Sequence, residues 1–184
     1  MKRIVLIDGI EATGKTTLVN MILEREKNYG YIKCPSKEII CKWINNMKSI
    51  EFDDVKQYID AYMLDIYNRL KKEKNNIIVF DRGQLSTLAY QGKTLKTRSY
   101  INSSYSSLYT ALDIDERNSI AILMLDPIIG KSRVEKIEEK KILAKEYNLC
   151  SKFKYATSLV NFPVKNFNWN IESENEILSL VCEM

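Results

Sequence analysis

Residues 9–16 read GIEATGKT, preceded by RIVLID at 3–8 and followed by TLVN at 17–20. The stretch fits G-x-x-x-x-G-K-[ST], with Gly9, Gly14, Lys15 and Thr16 at the fixed positions. A loop of this kind wraps a polyphosphate by pointing successive backbone N–H groups at its oxygens. Glycine supplies the unusual dihedrals and the close approach. Lys15 adds a point charge for the outer phosphates, and the Thr16 hydroxyl suits Mg²⁺. The following helix contributes the positive end of its dipole. Both flanks fit. Ile4 to Ile7 is a short apolar run suited to a buried parallel strand. Residues 17–27 place Leu18, Ile22 and Leu23 on one side of a helix. Gly9, Ile10, Glu11, Ala12, Thr13, Gly14, Lys15, Thr16 and Thr17 are therefore the candidate cradle for the phosphates of a nucleoside triphosphate.

Outward from this loop the pattern continues as strand 30–33, helix 36–47, a long helix 52–74 and strand 77–81. Helical or loop material fills 84–113, and a strand covers 119–126. Helices at 132–147 and 150–161 lead to a strand at 167–171 and a last helix at 174–183. Strands alternating with helices predict an α/β fold: a mostly parallel sheet of the P-loop NTPase type with helices on both faces. One domain spans 1–184, with a short lid at about 127–141. Ligands of such sheets bind beyond the strand C-terminal ends. Three segments converge there: the loop after the first strand, Lys33-Cys34-Pro35 and Asp81-Arg82.

Composition narrows the chemistry. The 184 residues carry a net charge of +4, which suits anionic small molecules without demanding nucleic acid. There is no histidine, so acid–base work falls to carboxylates, Lys and Arg. The four cysteines, Cys34, Cys41, Cys150 and Cys182, form no C-x-x-C pair. Reduced thiols in a cytoplasm are the expectation. No leader is read at the N-terminus, and no apolar run approaches the ~20 residues that span a bilayer. The wealth of Lys, Asn, Ile and Tyr suggests an AT-rich genome, such as that of a phage or a low-GC bacterium.

Asp81 falls where the strand IIVF ends, within NNIIVFDRGQLSTLAYQG at 75–92. An acid there, beside a phosphate loop, suits Mg²⁺. Arg82 places a planar, permanently charged fork beside a phosphoryl group.

These segments resemble the thymidylate kinases. DGIEATGKTT is similar to that family's phosphate loop, which has an acidic residue at its third position. FDRGQLSTLAYQG resembles its D-R-x-x-x-S-x-x-A-Y-Q segment, with Asp81, Arg82, Ser86, Ala89, Tyr90 and Gln91 in place. Lys33-Cys34-Pro35 resembles an Arg-x-Pro, Ser132-Arg133-Val134-Glu135 a lid motif, and FNWNIESENEILSLV the terminal strand and helix. The resemblance implies an ATP- and Mg²⁺-dependent kinase of a deoxynucleoside monophosphate, with dTMP the first choice. It gives Lys15 and Thr16 to the donor phosphates and metal, and Asp81 to the metal. It gives Arg82 to the acceptor phosphate, and it puts Glu11 near the 3′-hydroxyl. Tyr90 would press on the sugar, with Ser86 and Thr87 near the base. Asp8, Lys33 and Gln91 complete the acceptor side. Because Ala12 occupies the loop position where other members carry an arginine, Arg133 of the lid would supply that charge.

Three departures bear on the acceptor. The helix YIDAYMLDIYNRL lacks the family's base-contacting arginine; Arg69 comes a turn or two late. Tyr58 and Tyr62, four apart, could instead stack on a base or pack in the core. Lys33 is a point charge where the family has a fork. The lid, beginning DPIIGKSR, is short. A same-fold kinase acting on a nucleoside, a modified base in DNA or a polynucleotide end therefore stays open, with Glu11 or Asp81 as base. So does a non-catalytic nucleotide-binding module. Lys93, Lys96 and Arg98, with Tyr100, Tyr105 and Tyr109, could form a nucleic-acid surface, but a solvated loop and helix are favoured. By analogy with the family, 36–47 and 52–74 are faces for a homodimer.

Overall fold

The computed structural model describes residues 1–11, 13–125, 139–169 and 171–184. The lid segment up to residue 138, with Arg133, and Ala12 of the loop lie outside them.

Five strands form one parallel sheet: β1 (Arg3–Gly9), β2 (Gly30–Lys33), β3 (Ile77–Asp81), β4 (Ile120–Met124) and β5 (Val164–Asn166), in the order β2-β3-β1-β4-β5. β1 is central because both its edges are paired, Ile7 beside Asp81 of β3 and Gly9 beside Met124 of β4. Its continuous apolar run reflects cover on both faces. Val5 and Ile7 face one core with Leu18, Val19 and Ile22 of α1 (Lys15–Arg25) and Ile177, Leu178 and Val181 of α7 (Ile171–Cys182). Ile4 and Leu6 face the larger core. It is built with α3 (Phe52–Lys72), α4 (Gln84–Gln91), α5 (Leu95–Ala111) and α6 (Glu139–Thr157). α2 (Lys37–Lys48) lies against α3. No helix among the described residues is long and apolar enough to cross a membrane.

The strand order sets the site. The chain leaves β1 for β2 on one side and leaves β3 for β4 on the other. The crevice between the C-terminal ends of β1 and β3 is thus a topological switch point. Gly9 closes β1 at φ +141°, and a Cβ there would fall on the Met124 carbonyl. Only glycine lets β1 turn into the loop while β4 lies so close.

Two elements differ from the sequence expectation. The helices read as 132–147 and 150–161 are, from residue 139, one helix, α6. Leu149, Cys150, Phe153 and Ala156 continue a core-facing stripe through Asn148, so packing overrides a weak helix former. The last strand was expected at 167–171, but β5 ends at Asn166. Phe167 and Trp169, the aromatics that suggest a strand, belong to the turn after it and pack against the α1-side core.

Candidate active site at the carboxyl edge of the sheet

The phosphate-binding pattern folds as strand, loop and helix. Gly14 is the N-cap of α1 in the left-handed region, φ +83°, with no side-chain cap. The first amides of α1 therefore depend on an acceptor from outside the helix. Lys15 turns back over the loop: its Nζ donates to the Ile10 carbonyl and, at 3.2 Å, to Thr13 Oγ1. It is buried, and its pKa falls to about 8, chiefly through burial. The nearby Arg82 charge contributes to the same shift, while Asp8, Asp81 and Glu11 act the other way. Arg82 thus lies near enough to depress the Lys15 pKa, and among the described residues neither cation forms an ion pair.

Arg82 leaves β3 at φ +74°, a conformation uncommon outside glycine. Its N–H donates to the Ile7 carbonyl at 3.0 Å, and its guanidinium lies over the Tyr90 ring, 5.8 Å from the centroid. Strained backbone of this sort persists where the surroundings over-determine it. Here the restraint comes from Asp8. Its buried Oδ1 accepts the Gly83 N–H at 2.8 Å, the Ser86 N–H at 3.2 Å and the Ser86 hydroxyl. Gly83, the N-cap of α4, has no side chain to cap with, so Asp8 caps that helix from β1. Burial raises the Asp8 pKa, opposed by the Ser86 and Gly83 hydrogen bonds and the Arg82 charge. Asp8 Oδ2 has no partner among the described residues.

Asp81 is buried on the α1 face, where its Oδ2 accepts from Tyr31 at 3.4 Å. Among the described residues no three His, Cys, Asp or Glu cluster as a metal cage. A Mg²⁺ held by Thr16, Asp81 and substrate phosphates needs none, since that ion is commonly bound through one or two carboxylates and keeps its waters. Glu11 and Lys33 are exposed at the rim. The peptide between Cys34 and Pro35 is cis. Arg69, late for a base contact, donates instead to the Lys33 carbonyl at 2.9 Å and pairs with Asp65 at 3.3 Å.

Other expected acceptor contacts are occupied within the protein. Tyr58 and Tyr62 are 2% and 1% exposed and stack on each other, centroids 5.8 Å apart at 19°. This corrects the base-stacking reading: four residues apart on an inward face, each ring is the other's partner. Ser86 is committed to Asp8, and Thr87 Oγ1 donates to the Gly83 carbonyl at 3.0 Å and meets Tyr105 Oη at 2.9 Å. Gln91 is buried, and Tyr90 meets Phe153 edge-on at 5.8 Å. The nucleic-acid surface loses its platforms. Tyr105 and Tyr109 lie in the core, Tyr100 donates to Asp60, and Lys96 sits 3.9 Å over Phe52. Burial also pushes the Cys34 thiol up to about 12, leaving it inert.

One contact escaped the sequence reading. Trp169 Nε1–H donates to the Thr13 carbonyl at 2.7 Å. No local signal marks it, because the two residues lie 156 positions apart.

No family model matches the chain. It is 29% identical over 166 residues to the probable thymidylate kinase 1 of Saccharolobus solfataricus, covering 80% of this chain and 86% of that one. Among solved structures it resembles the thymidylate kinase of Ehrlichia chaffeensis, with TM-score 0.55, 15% identity and 98% of each chain covered. It also resembles the Candida albicans thymidylate kinase, with TM-score 0.57, 13% identity and 99% and 90% covered. The YorR protein of Bacillus subtilis, solved in complex with phosphorylated GDP, gives TM-score 0.57 at 18% identity, covering 98% and 94%. The chain thus resembles a probable thymidylate kinase in sequence, and its fold is that of two further thymidylate kinases.

Proposed function

We propose that the chain transfers the γ-phosphoryl group of ATP to a deoxynucleoside monophosphate, with dTMP as acceptor and dTDP as product. The observation that supports this reading is that Lys15, after β1, and Arg82, after β3, lie at the switch point between those two strands, with the Arg82 N–H bonded to the Ile7 carbonyl of β1. The loop with Lys15 takes the donor's phosphates, and Arg82 takes the acceptor's. A phosphate oxygen needs no base to become a nucleophile, so a site without histidine suffices. What the protein supplies is position and charge. Thr16 and Asp81 would hold Mg²⁺, which neutralises charge on the transferring group. Tyr90, over Arg82, walls the acceptor side, with Glu11, Lys33 and Asp8 around it. A lid arginine at 133 remains the proposed partner charge.

The missing helix arginine, and a neighbour of this fold that binds phosphorylated GDP, favour testing a second acceptor class alongside the first. ADP release should be followed with dTMP, dUMP, dGMP, dCMP, thymidine and duplex DNA. Turnover greatest with dTMP is expected. Transfer to another monophosphate, to a nucleoside or to DNA alone would move the assignment to a same-fold kinase with that acceptor. ATP binding without transfer to any acceptor would overturn the kinase reading.

The Lys15 pKa gives a pH signature. Its folded value, about 8, lies below the ordinary 10.5, so charge present below pH 8 is lost as pH rises. ATP–Mg affinity should be flat to about pH 7.5 and weaken about tenfold per unit above pH 8, with proton uptake on binding. Titration calorimetry in buffers of different ionisation enthalpy measures that uptake. Stability runs oppositely: from pH 8 to 10.5 the unfolded chain holds the extra proton, so this group's contribution to stability rises with pH.

A further inference from the structure

The turn after β5 reaches back onto the phosphate loop. Trp169 is anchored to the sheet: its ring meets Phe167 edge-to-face, centroids 5.0 Å apart at 87°. Phe167 is 1% exposed, and its N–H donates to the Leu123 carbonyl of β4 at 2.9 Å. From this base the indole Nε1–H reaches the Thr13 carbonyl at 2.7 Å. The ring also sits close against Gly14, where an added Cβ would lie 2.7 Å from Nε1 and 2.8 Å from Cζ2.

In a trans peptide unit the C=O and the next N–H point in opposite directions. By taking the Thr13 carbonyl, the indole turns the Gly14 N–H away from itself. Gly14 is also the uncapped N-cap of α1, at φ +83°. The loop's own ties, from Thr13 Oγ1 and Lys15 Nζ, converge on the Ile10 carbonyl, and among the described residues of the loop none bonds the Thr13–Gly14 peptide. We propose that Trp169 is a positioning residue for donor binding: its N–H fixes the Thr13–Gly14 peptide so that the Gly14 amide faces the donor's phosphates. The proposal rests on the nucleotide reading above and extends it to a residue of the C-terminal turn. The ligand class is a nucleoside triphosphate, met through its phosphates.

The sequence has two tryptophans, Trp43 and Trp169. In a Trp43→Phe chain, replacing the one remaining indole by benzothienylalanine swaps N–H for sulfur and keeps the ring. ATP–Mg affinity should fall about tenfold, near 1.4 kcal/mol, the scale of one hydrogen bond. The acceptor KM should not change, and thermal unfolding should move little. In the same Trp43→Phe chain, indole emission should respond to ATP–Mg and not to acceptor. Trp169→Phe should reproduce the loss of ATP affinity. Unchanged ATP affinity in the analogue overturns the proposal while the nucleotide reading stands. An equal loss of ATP and acceptor affinity, with a lowered melting temperature, also overturns it, because that pattern marks a purely structural role. If the indole-containing protein binds no ATP, the nucleotide reading and this proposal fall together.

Discussion

Lys15→Ala should abolish phosphoryl transfer, lowering kcat by about 10³-fold, which corresponds to roughly 4 kcal/mol of lost charge stabilisation in a water-poor site. The fold should survive. Lys15 is 7% exposed and its pKa is already lowered by burial, so its charge strains the empty protein more than it steadies it. Removing it leaves the Ile10 carbonyl and Thr13 Oγ1 without that donor, but Thr13 Oγ1 still donates to Ile10. A net change within about 1 kcal/mol is expected from exchanging one hydrogen-bonding group against relief of a buried charge. The alkaline weakening of ATP binding should vanish too, since the titrating group is gone. A variant retaining kcat within a few-fold would show that the loop holds its ligand without this charge, and the mechanism would have to be abandoned.

Legibility in the sequence followed the range of the interactions. The phosphate loop was readable because its needs are local: Gly9 and Gly14 sit at φ +141° and +83° where the pattern places them. Asp81-Arg82 was readable because a charged pair ending an apolar strand breaks a simple rhythm. The hydrogen bonds by which Asp8 caps α4 were not legible, since its partners Gly83 and Ser86 lie 75 and 78 positions away. Trp169 left no local trace for the same reason. Tyr58 and Tyr62 show the converse. Spacing of four told that the rings share a helix face, but only the packed sheet decides whether that face looks at a ligand or at Leu6 and Phe80.

Arg82 offers the sharper test, because its two properties can be separated. Its guanidinium is proposed to clamp the acceptor phosphate, while its backbone holds a left-handed conformation that costs an ordinary residue about 1 kcal/mol relative to glycine. Arg82→Ala loses the clamp and keeps the strain. Arg82→Gly loses the clamp and releases the strain. Both should lower kcat/KM by about 10²–10³-fold, the cost of one lost charge-stabilising group. Of the two, the glycine variant should be more stable, by roughly 0.5–1 kcal/mol after the greater entropy of its unfolded chain is allowed for. Arg82→Lys should fall between wild type and alanine in activity, since a point charge replaces a fork. Each neutral substitution should also move the alkaline limb of ATP binding upward, because the Arg82 charge is one of the two causes depressing Lys15. Denaturant midpoints, kcat/KM and the pH profile of ATP affinity measure these three effects separately. If alanine and glycine proved equally stable, the φ of +74° would not be strain held for function. If both kept wild-type kcat/KM, Arg82 would belong to the packing over Tyr90 and not to the acceptor.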